Sequence, residues 1–393
     1  MRIVDVCAFW APHGGGVRTY IETKMRSTRM PGDEVVVIVP GETSETIRVD
    51  GLGAIISIAS PRFPLDSRYR YFNDEAELHR ALDVLTPDVI EVSSPWGSPA
   101  MVARWQGSAL RSLVMHADPL SAYAYRWFGS LASRDTIDRR FEIFWRHLRR
   151  LNEAFDVVVC ASDGLTNRMI AGGVSKALTI PMGVEPALFS PAQRNPALRA
   201  HLLARCDLPE DATLLIGLGR HASEKRWPMV IEAVAAAGSR RPVGLMLLGH
   251  GRDEATIVRA ARDNPHVHLA APVFDRPRLA TILASADALV HGCEAETFCM
   301  AAAEARASGL PIIVPDLGGA ADQFRPEYGE IYEARSARAL ADAIVRLIDR
   351  RDTVHANTIA VAASVPDMQQ HFDTLFATYR ARQDQIPAML RAA

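Results

Sequence analysis

Short β-rich runs alternate with helical patterns along this chain, and the alternation occurs twice. Because parallel strands need long crossover connections, such alternation predicts parallel sheets with helices on both faces. The first alternation predicts strands at residues 3–9, 34–39, 54–58, 89–92, 112–115, 157–160 and 177–180. The second predicts strands at 214–218, 243–248, 267–269, 288–290 and 312–314, and helices at 229–237, 252–263, 276–285, 298–308 and 337–349. We therefore expect an α/β chain with two doubly wound, Rossmann-like domains.

A proline-containing stretch separates the two alternations. It begins at Pro181-Met182-Gly183-Val184 and continues through Pro186, Pro191, Pro196 and Pro209. Such residues interrupt regular structure, so we place the domain boundary there, with residues 1–183 before it and 184–367 after it. Ligands of doubly wound sheets bind at the carboxyl ends of the strands, which predicts a central cleft that both domains face. Residues 368–391 are typical of one or two further helices.

The composition excludes several classes of protein. The formal net charge of -2 argues against nucleic-acid binding, which needs a basic surplus. The five cysteines are scattered without a C-x-x-C pair, so neither a disulfide framework nor a structural zinc site is expected. The chain shows no signal-peptide pattern and no uninterrupted apolar span. We therefore expect a cytoplasmic protein whose membrane contact, if it has any, is peripheral.

Two glutamates, Glu296 and Glu304, stand eight residues apart where a predicted strand leads into a predicted helix. A carboxylate at this turn can accept hydrogen bonds from sugar hydroxyls, and the start of the helix can present backbone N–H groups to a phosphate. Those N–H groups belong to Thr297, Phe298 and Cys299. On a continuous helix Glu304 would lie about 12 Å further along the axis, which suits a ribose beyond a diphosphate. A surface helix with two solvated glutamates is the alternative.

Two loops at predicted strand ends could bind phosphate. Gly14, Gly15 and Gly16 follow the first strand, and glycines let the backbone approach an anion at a helix N-terminus. The loop matches neither G-x-G-x-x-G nor the P-loop, and a glycine turn without a ligand is the alternative. After strand 214–218, Arg220 and Lys225 could neutralise a diphosphate and stabilise it as a leaving group, unless they are only solvated loop charges.

Two further features are open to a functional or a structural interpretation. His116 lies at a predicted strand end, and Asp118 could orient it or make a separate polar contact. In residues 123–155, apolar side chains at helical spacing are flanked by arginines, which resembles an interfacial segment. The apolar side chains are Phe141, Phe144, Trp145, Leu148 and Phe155, with Tyr123, Tyr125, Trp127 and Phe128 upstream. Packing of this face on the domain's own sheet is the alternative.

Together these motifs resemble the retaining glycosyltransferases of family 4, over nearly the whole chain. The segment from Glu296 to Glu304, continued by A-R-A-S-G-L-P-I-I-V, is similar to the family's E-x7-E element and the A-x-A-x-G-x-P entry into its next strand. Arg220 and Lys225 resemble the family's diphosphate-binding Arg and Lys, and Gly14–Gly16 resemble its glycine loop. His116 resembles the family's histidine near the transferred sugar. Pro181–Glu185 with Phe189 resemble its interdomain P-x-G-V-D-x3-F signature.

The resemblance implies a GT-B fold and retaining transfer of a hexose from a UDP- or GDP-sugar to a hydroxyl acceptor, without a catalytic metal. Glu296 would hold the donor sugar near His116, Glu304 would bind the ribose, and Arg220 and Lys225 would stabilise the departing phosphate. The loop around Gly15 and Gly16 and the segment Thr297–Cys299 would complete the donor site. A membrane lipid or lipid-linked glycan would fit as acceptor, at the inner face of the cytoplasmic membrane. By the same resemblance, residues from about 368 would pack on the N-terminal domain.

The chain departs from the family pattern at two positions where glycine is usual. Thr297 follows the first glutamate and Cys299 follows the phenylalanine. These departures affect the placement of the sugar more than the class of reaction. A nucleotide-sugar 2-epimerase of related fold and a non-catalytic nucleotide-sugar-binding module are the alternative functions. The sequence leaves the base, the sugar, the acceptor, the linkage and the oligomeric state open.

Overall fold

The computed structural model describes residues 1–8, 16–27, 30, 32–49, 53–64, 69–93, 95–116, 118, 120, 134–185 and 187–385. The chain divides into two compact units. Unit 1 comprises the described residues of Met1–Leu120 and Trp127–Pro181 together with the C-terminal segment from Gln369, and unit 2 comprises those of Met182–Met368. Among the described helices, none combines the length and the apolar character needed to cross a membrane.

Unit 1 is built on an eight-stranded sheet in the order β3-β4-β2-β1-β5-β6-β7-β8. All neighbouring strands are parallel except the antiparallel pair β3 and β4 at one edge. The strands are β1 Arg2–Val6, β2 Glu34–Gly41, β3 Glu45–Val49, β4 Gly53–Ala59, β5 Val89–Val92, β6 Leu110–Met115, β7 Val157–Cys160 and β8 Ala177–Thr179. The interior strands are almost continuously apolar because helices cover both faces of a parallel sheet.

The described part of unit 1 also contains helices. They are α1 Gly16–Arg26, α2 Glu75–Leu85, α3 Ser98–Arg104, α4 Arg134–Arg140, α5 Glu142–Ala154, α6 Asp163–Ala171 and the C-terminal helix α15 Met368–Gln385. In α5 the side chains of Phe144, Trp145 and Leu148 are buried. The apolar stripe is therefore buried within unit 1 at these positions, where Phe144 packs on Trp96 and Trp145 lies against Gly172. Residues 121–133 of that segment lie outside the described residues.

Unit 2 contains a six-stranded, fully parallel sheet in the order β11-β10-β9-β12-β13-β14. Its strands are β9 Thr213–Leu218, β10 Val243–Leu248, β11 Val267–Ala270, β12 Ala288–Val290, β13 Ile312–Pro315 and β14 Gly329–Tyr332. Its helices are α7 Pro196–Arg205, α8 Trp227–Gly238, α9 Glu254–Ala261, α10 Arg276–Ser285, α11 Met300–Ala307, α12 Gly319–Asp322, α13 Ala337–Asp349 and α14 Arg351–Val361. Numbered within the unit, this is the Rossmann strand order 3-2-1-4-5-6.

The expectation of two doubly wound parallel sheets is confirmed, but several element boundaries were wrong. β3 and β14 were not predicted, since β3 is a charged edge strand and β14, Gly-Glu-Ile-Tyr, lacks an apolar run. β1 ends at Val6, before the predicted end at residue 9. The helix predicted at 298–308 begins only at Met300, and the one predicted at 252–263 covers Glu254–Ala261.

Candidate functional site

The strand order of unit 2 creates a switch point between β9 and β12. The chain leaves β9 toward β10 on one side, while β12 begins the opposite half of the sheet. Loops that diverge from neighbouring strand ends leave a crevice there, which is where doubly wound sheets bind ligands. Lys225 follows β9 and Glu296 follows β12. The strand order alone therefore brings these two predicted site residues to one place.

Lys225 and Glu296 form an ion pair at this switch point, from Lys225 Nζ to Glu296 Oε1. Burial opposes ionisation of the carboxyl, but the Lys225 ammonium and His291 outweigh burial and hold the pKa of Glu296 well below its usual range. Burial likewise opposes the charge on Lys225, yet Glu296 raises the pKa of that ammonium. The side chains are 16% and 24% exposed, so solvent or a ligand can still reach the pair. An ammonium has three donors and a carboxylate has two acceptor oxygens, which leaves hydrogen-bonding capacity for a ligand.

His291 joins this pair from the end of β12. Its Nε2 atom lies 3.3 Å from Glu296 Oε1, and the ring is buried. Burial lowers the pKa of the imidazole, which favours its neutral form. His291, Glu296 and Cys299 each bring one potential ligand atom within 4.8 Å of the others. Burial raises the pKa of the Cys299 thiol well above its usual value, and Lys225 already neutralises Glu296, so this trio is a poor site for a metal cation.

The backbone conformation of Cys299 explains why the family pattern usually has glycine at this position. Its φ is 69°, in the left-handed region that a side chain disfavours, and it caps α11 at Met300. Glu296 therefore precedes the helix by several residues, and the axial spacing expected for Glu296 and Glu304 on one continuous helix does not apply. Thr297 and Phe298 both lie in the bend before the helix, so Phe298 is not its first residue as predicted. Non-glycine residues held in this region concentrate at functional sites.

A glycine and two arginines support the turn that carries Glu296. A Cβ atom on Gly319 would lie 2.4 Å from the carbonyl carbon of Thr297, so only glycine fits there. The Gly319 N–H donates a hydrogen bond of 2.7 Å to the Glu296 carbonyl oxygen. On the other side, Arg226 and Arg335 both bind the buried carboxylate of Glu294. These contacts hold the backbone on both sides of Glu296.

Glu304 is on α11 and is buried, but its carboxylate already has a partner. Arg276, at the start of α10, donates from Nη2 to Glu304 Oε1 at 2.7 Å. The same guanidinium lies 3.3 Å from Glu185 Oε2 and 4.9 Å from the centre of the Phe189 ring. Burial raises the pKa of Glu304, and Arg276 opposes that shift. A ribose at Glu304 would thus meet a carboxylate that Arg276 orients.

Arg220 shares a loop with Lys225 but has a different environment. Its side chain is 71% exposed, and its Nη2 atom lies 3.0 Å from Glu224 Oε1. Its carbonyl oxygen accepts a hydrogen bond from the Trp227 indole, which fixes the backbone rather than the guanidinium. The structure therefore groups Lys225, Glu296, Phe298 and Cys299 closely and leaves Arg220 as a cation at the surface.

The remaining predicted site residues belong to unit 1. Gly15 lies outside the described residues, and Gly16 begins α1. His116 follows β6, and its ring packs edge-on against Tyr20 with the ring centres 4.9 Å apart. Burial lowers the pKa of His116 to about 4, so the imidazole is neutral near pH 7. Asp118 makes a separate contact, since its carboxylate binds Arg168 Nε at 2.8 Å and the Leu120 N–H at 3.0 Å.

The sequence patterns did not single out His291, Arg276 or Gly319. The nearest sequence signals are a histidine directly after the apolar β12 run and a Gly-Gly pair after β13. Neither signal shows that the residue contacts the Glu296 turn, because those contacts depend on how the loops after β12 and β13 fold.

Two family models match this chain. The model described as "Glycosyl transferases group 1" matches residues 212–350, and "Glycosyl transferase 4-like domain" matches residues 15–183. A GDP-mannose-dependent alpha-(1-6)-phosphatidylinositol dimannoside mannosyltransferase of Mycobacterium tuberculosis is 26% identical over 383 residues, 97% of this chain and 96% of the relative. A GDP-mannose-dependent alpha-mannosyltransferase of the same species is 29% identical over 366 residues, 89% of each chain.

A solved structure shows the same fold. Sucrose-phosphate synthase from Thermosynechococcus elongatus superposes with a TM-score of 0.72 at 19% identity, over 97% of this chain and 98% of that one. The chain thus has an α/β architecture with a GT-B fold. The chain belongs to the group 1 glycosyl transferases, the retaining glycosyltransferases of family 4, and its donor is a nucleotide sugar. The expected family, fold and enzyme class are confirmed, and the roles of individual residues stay predictions.

Proposed function

We propose that this glycosyltransferase moves a mannosyl group from GDP-mannose, with retention of configuration, to a hydroxyl of a lipid-linked mannoside. The observation that carries the chemistry is the Lys225–Glu296 pair at the switch point of unit 2. The choice of donor is supported by two relatives whose names specify GDP-mannose. The choice of acceptor is supported by the relative named for a phosphatidylinositol dimannoside, which matches 97% of this chain.

The charges of unit 2 fit the transfer step. Glu296 is ionised, so it can accept hydrogen bonds from mannose hydroxyls, while Lys225 directs its remaining N–H donors at the diphosphate. The bond from the sugar C1 to the β-phosphate oxygen breaks, and a bond from C1 to the acceptor oxygen forms on the same face. The acceptor proton passes to the departing phosphate oxygen, whose charge Lys225 and Arg220 stabilise.

His116 would act as a neutral hydrogen-bonding group beside the sugar. Its pKa of about 4 leaves the imidazole uncharged at physiological pH, so it can donate to or accept from a hydroxyl without placing a cation beside C1. A cation there would oppose the positive charge that develops on the sugar ring as the C1–phosphate bond breaks. The neutral form therefore suits this role.

Membrane contact of unit 1 would bring a lipid acceptor to the enzyme. The buried side of α5 faces the core, but Ile143, Arg146 and Arg150 share its exposed side. Ile143 is 76% exposed, with an arginine three and seven residues further along the helix. An exposed apolar side chain among arginines suits the surface of an anionic bilayer.

Radiolabelled transfer by the purified full-length chain tests the donor and the acceptor. We expect label from GDP-mannose to enter phosphatidylinositol mannosides in vesicles, with the α configuration in the product by NMR. UDP-glucose and UDP-galactose should give little product. Efficient transfer from a UDP-sugar would contradict the donor, and equal use of soluble mannosides would contradict the lipid acceptor. Conversion of the donor sugar without any acceptor would instead indicate the epimerase.

Flotation with phosphatidylinositol-containing vesicles tests the membrane surface. Ile143→Ser should weaken binding to anionic vesicles, because it removes the exposed apolar contact. Val258→Ser is the matched control, since Val258 is a half-exposed apolar residue on a helix of unit 2. Equal binding by wild type and both variants would remove α5 as the contact.

A further inference from the structure

The C-terminal helix α15 contributes a buried histidine to the interior of unit 1. His371 is 4% exposed, and both of its ring nitrogens have partners. Nδ1 lies 2.9 Å from the carbonyl oxygen of Pro181, and Nε2 lies 2.9 Å from the hydroxyl of Tyr20. These contacts join α15 to α1 and to Pro181, the residue of unit 1 that directly precedes unit 2 in sequence.

The partners determine which nitrogen carries the proton. A carbonyl oxygen can only accept, so Nδ1 must be the donor to Pro181. In the neutral ring Nε2 is then an acceptor, and the Tyr20 hydroxyl donates to it. Burial also lowers the pKa of His371 to about 4, so this neutral tautomer persists at physiological pH. The Tyr20 hydroxyl is therefore fixed in direction by one atom of α15.

The Tyr20 ring transmits this constraint to the predicted site. Tyr20 lies about one helical turn after Gly16, where α1 begins. One side of its ring packs on His116 at 4.9 Å, and Phe372 of α15 packs 5.1 Å away. Tyr20 is 5% exposed, so it has little freedom to move. Tyr20 thus contacts the His116 ring and is itself part of α1.

We infer that His371 is a positioning residue for glycosyl transfer. It holds the Tyr20 hydroxyl, and Tyr20 holds His116 and the start of α1 in the geometry that the donor sugar needs. The inference rests on the proposed function, in which His116 contacts the transferred sugar. Small displacements of groups around a reacting centre reduce turnover strongly, even when the displaced residue touches no substrate.

Two substitutions at His371 separate the two hydrogen bonds. The oxygen of Gln reaches the position of Nε2, so His371→Gln can still accept from Tyr20. The amide of Asn reaches only the position of Nδ1, so His371→Asn keeps the bond to Pro181 and loses Tyr20. We expect His371→Asn to lower kcat about 10-fold with the Kd for GDP unchanged. His371→Gln should retain most of the wild-type kcat.

Tyr20→Phe tests the same link from the other side and removes only the hydroxyl. It should lower kcat to a similar extent, and the double variant with His371→Asn should be no slower than the slower single variant, since both changes break one contact. Arg380→Gln is the matched control on α15, because Arg380 anchors the helix to Asp33 instead. It should lower thermal stability and leave kcat unchanged.

The assays use whichever nucleotide sugar the wild type turns over. Wild-type rates in both His371→Asn and Tyr20→Phe would overturn the inference. Equal losses of kcat in the Asn, Gln and Arg380 variants would also overturn it, since they would indicate a purely structural role for α15. The proposed function fails separately, if the wild type does not use GDP-mannose or if His116→Ala keeps full activity.

Discussion

Each unit contains a lysine that pairs with carboxylate, but solvent reaches the two pairs very differently. In unit 1, Lys24 bridges Asp5 and Glu91, and all three side chains are at most 1% exposed. Hydroxyl groups from Ser93 and Tyr379 complete the network by donating to the two carboxylates. In unit 2 the Lys225–Glu296 pair lies at strand ends and is partly open.

The comparison shows that the surroundings of an ion pair determine its role. Every polar group of a fully buried network needs a partner within the protein, so such a network can fix helices to a sheet but cannot bind a ligand. The pair of unit 2 keeps unused donors and acceptors at the surface of the switch point, where a sugar phosphate could engage them. Two predictions test this difference directly and two extend it to other buried groups of the two units, from the largest expected effect to the smallest.

Removal of the buried lysine should damage the fold. Lys24→Met leaves Asp5 and Glu91 in the core without a counter-charge, and we expect the free energy of unfolding to fall by about 3–5 kcal/mol. Urea denaturation followed by circular dichroism measures this change. Arg240→Met, in the exposed pair with Asp342, is the control and should change stability little. A small effect of Lys24→Met would contradict the assignment of the network as structural.

Removal of the open lysine should damage catalysis and spare the fold. Lys225→Ala should lower kcat/KM for the donor by about 10²–10³-fold, as for other groups that stabilise transition-state charge. Its melting temperature should stay close to that of wild type, because Glu296 remains accessible to water. Arg220→Ala should have a smaller effect, since that side chain is mostly exposed. Unchanged donor affinity and turnover in Lys225→Ala would refute the assigned role.

Acid should destabilise unit 1 through its buried histidines. The pKa of His371 is about 4 in the folded protein and about 6.5 when unfolded, so between these values the unfolded chain binds more protons. The neutral imidazole of His371 therefore contributes about 3 kcal/mol to the free energy of unfolding above pH 6.5, and this contribution is lost as the pH falls toward 4. Melting temperatures across this range measure the loss. His371→Asn should flatten the profile, and an unaltered profile would contradict a buried neutral imidazole.

Loss of the buried glutamate of α11 should weaken nucleotide binding modestly. Glu304→Ala removes a charged hydrogen-bond acceptor, which is worth about 1.5–3 kcal/mol, or about 10-fold or more in the Kd for GDP. Calorimetric titration with GDP measures the change. Glu185→Ala is the matched control because it also contacts Arg276 but is half-exposed. Equal GDP affinity in wild type and Glu304→Ala would contradict the ribose assignment.

Local patterns predicted most of the fold and part of the site. Apolar strand runs and helical periodicity placed most strands and helices, and the charged residues at strand ends identified Lys225 and Glu296. The patterns did not reveal that Cys299 adopts a left-handed conformation and delays α11, since such a conformation depends on the neighbouring Gly318–Gly319 turn. They also left open whether the apolar side of α5 faces lipid or core, because either environment suits the same periodicity.

The periodicity of this chain was sufficient for its fold class, and the resemblance of its motifs to the family 4 glycosyltransferases was sufficient for its family, because both signals are short-range along the chain. Contacts between distant segments required the folded structure. Tyr20 meets His371 across 351 positions of sequence, and Lys225 meets Glu296 across 71. Burial changes the pKa of a histidine or a glutamate only after folding has removed water from it. The sequence had already predicted Lys225 as a site residue, but its ion pair with Glu296 and the buried network of Lys24 were visible only in the tertiary structure.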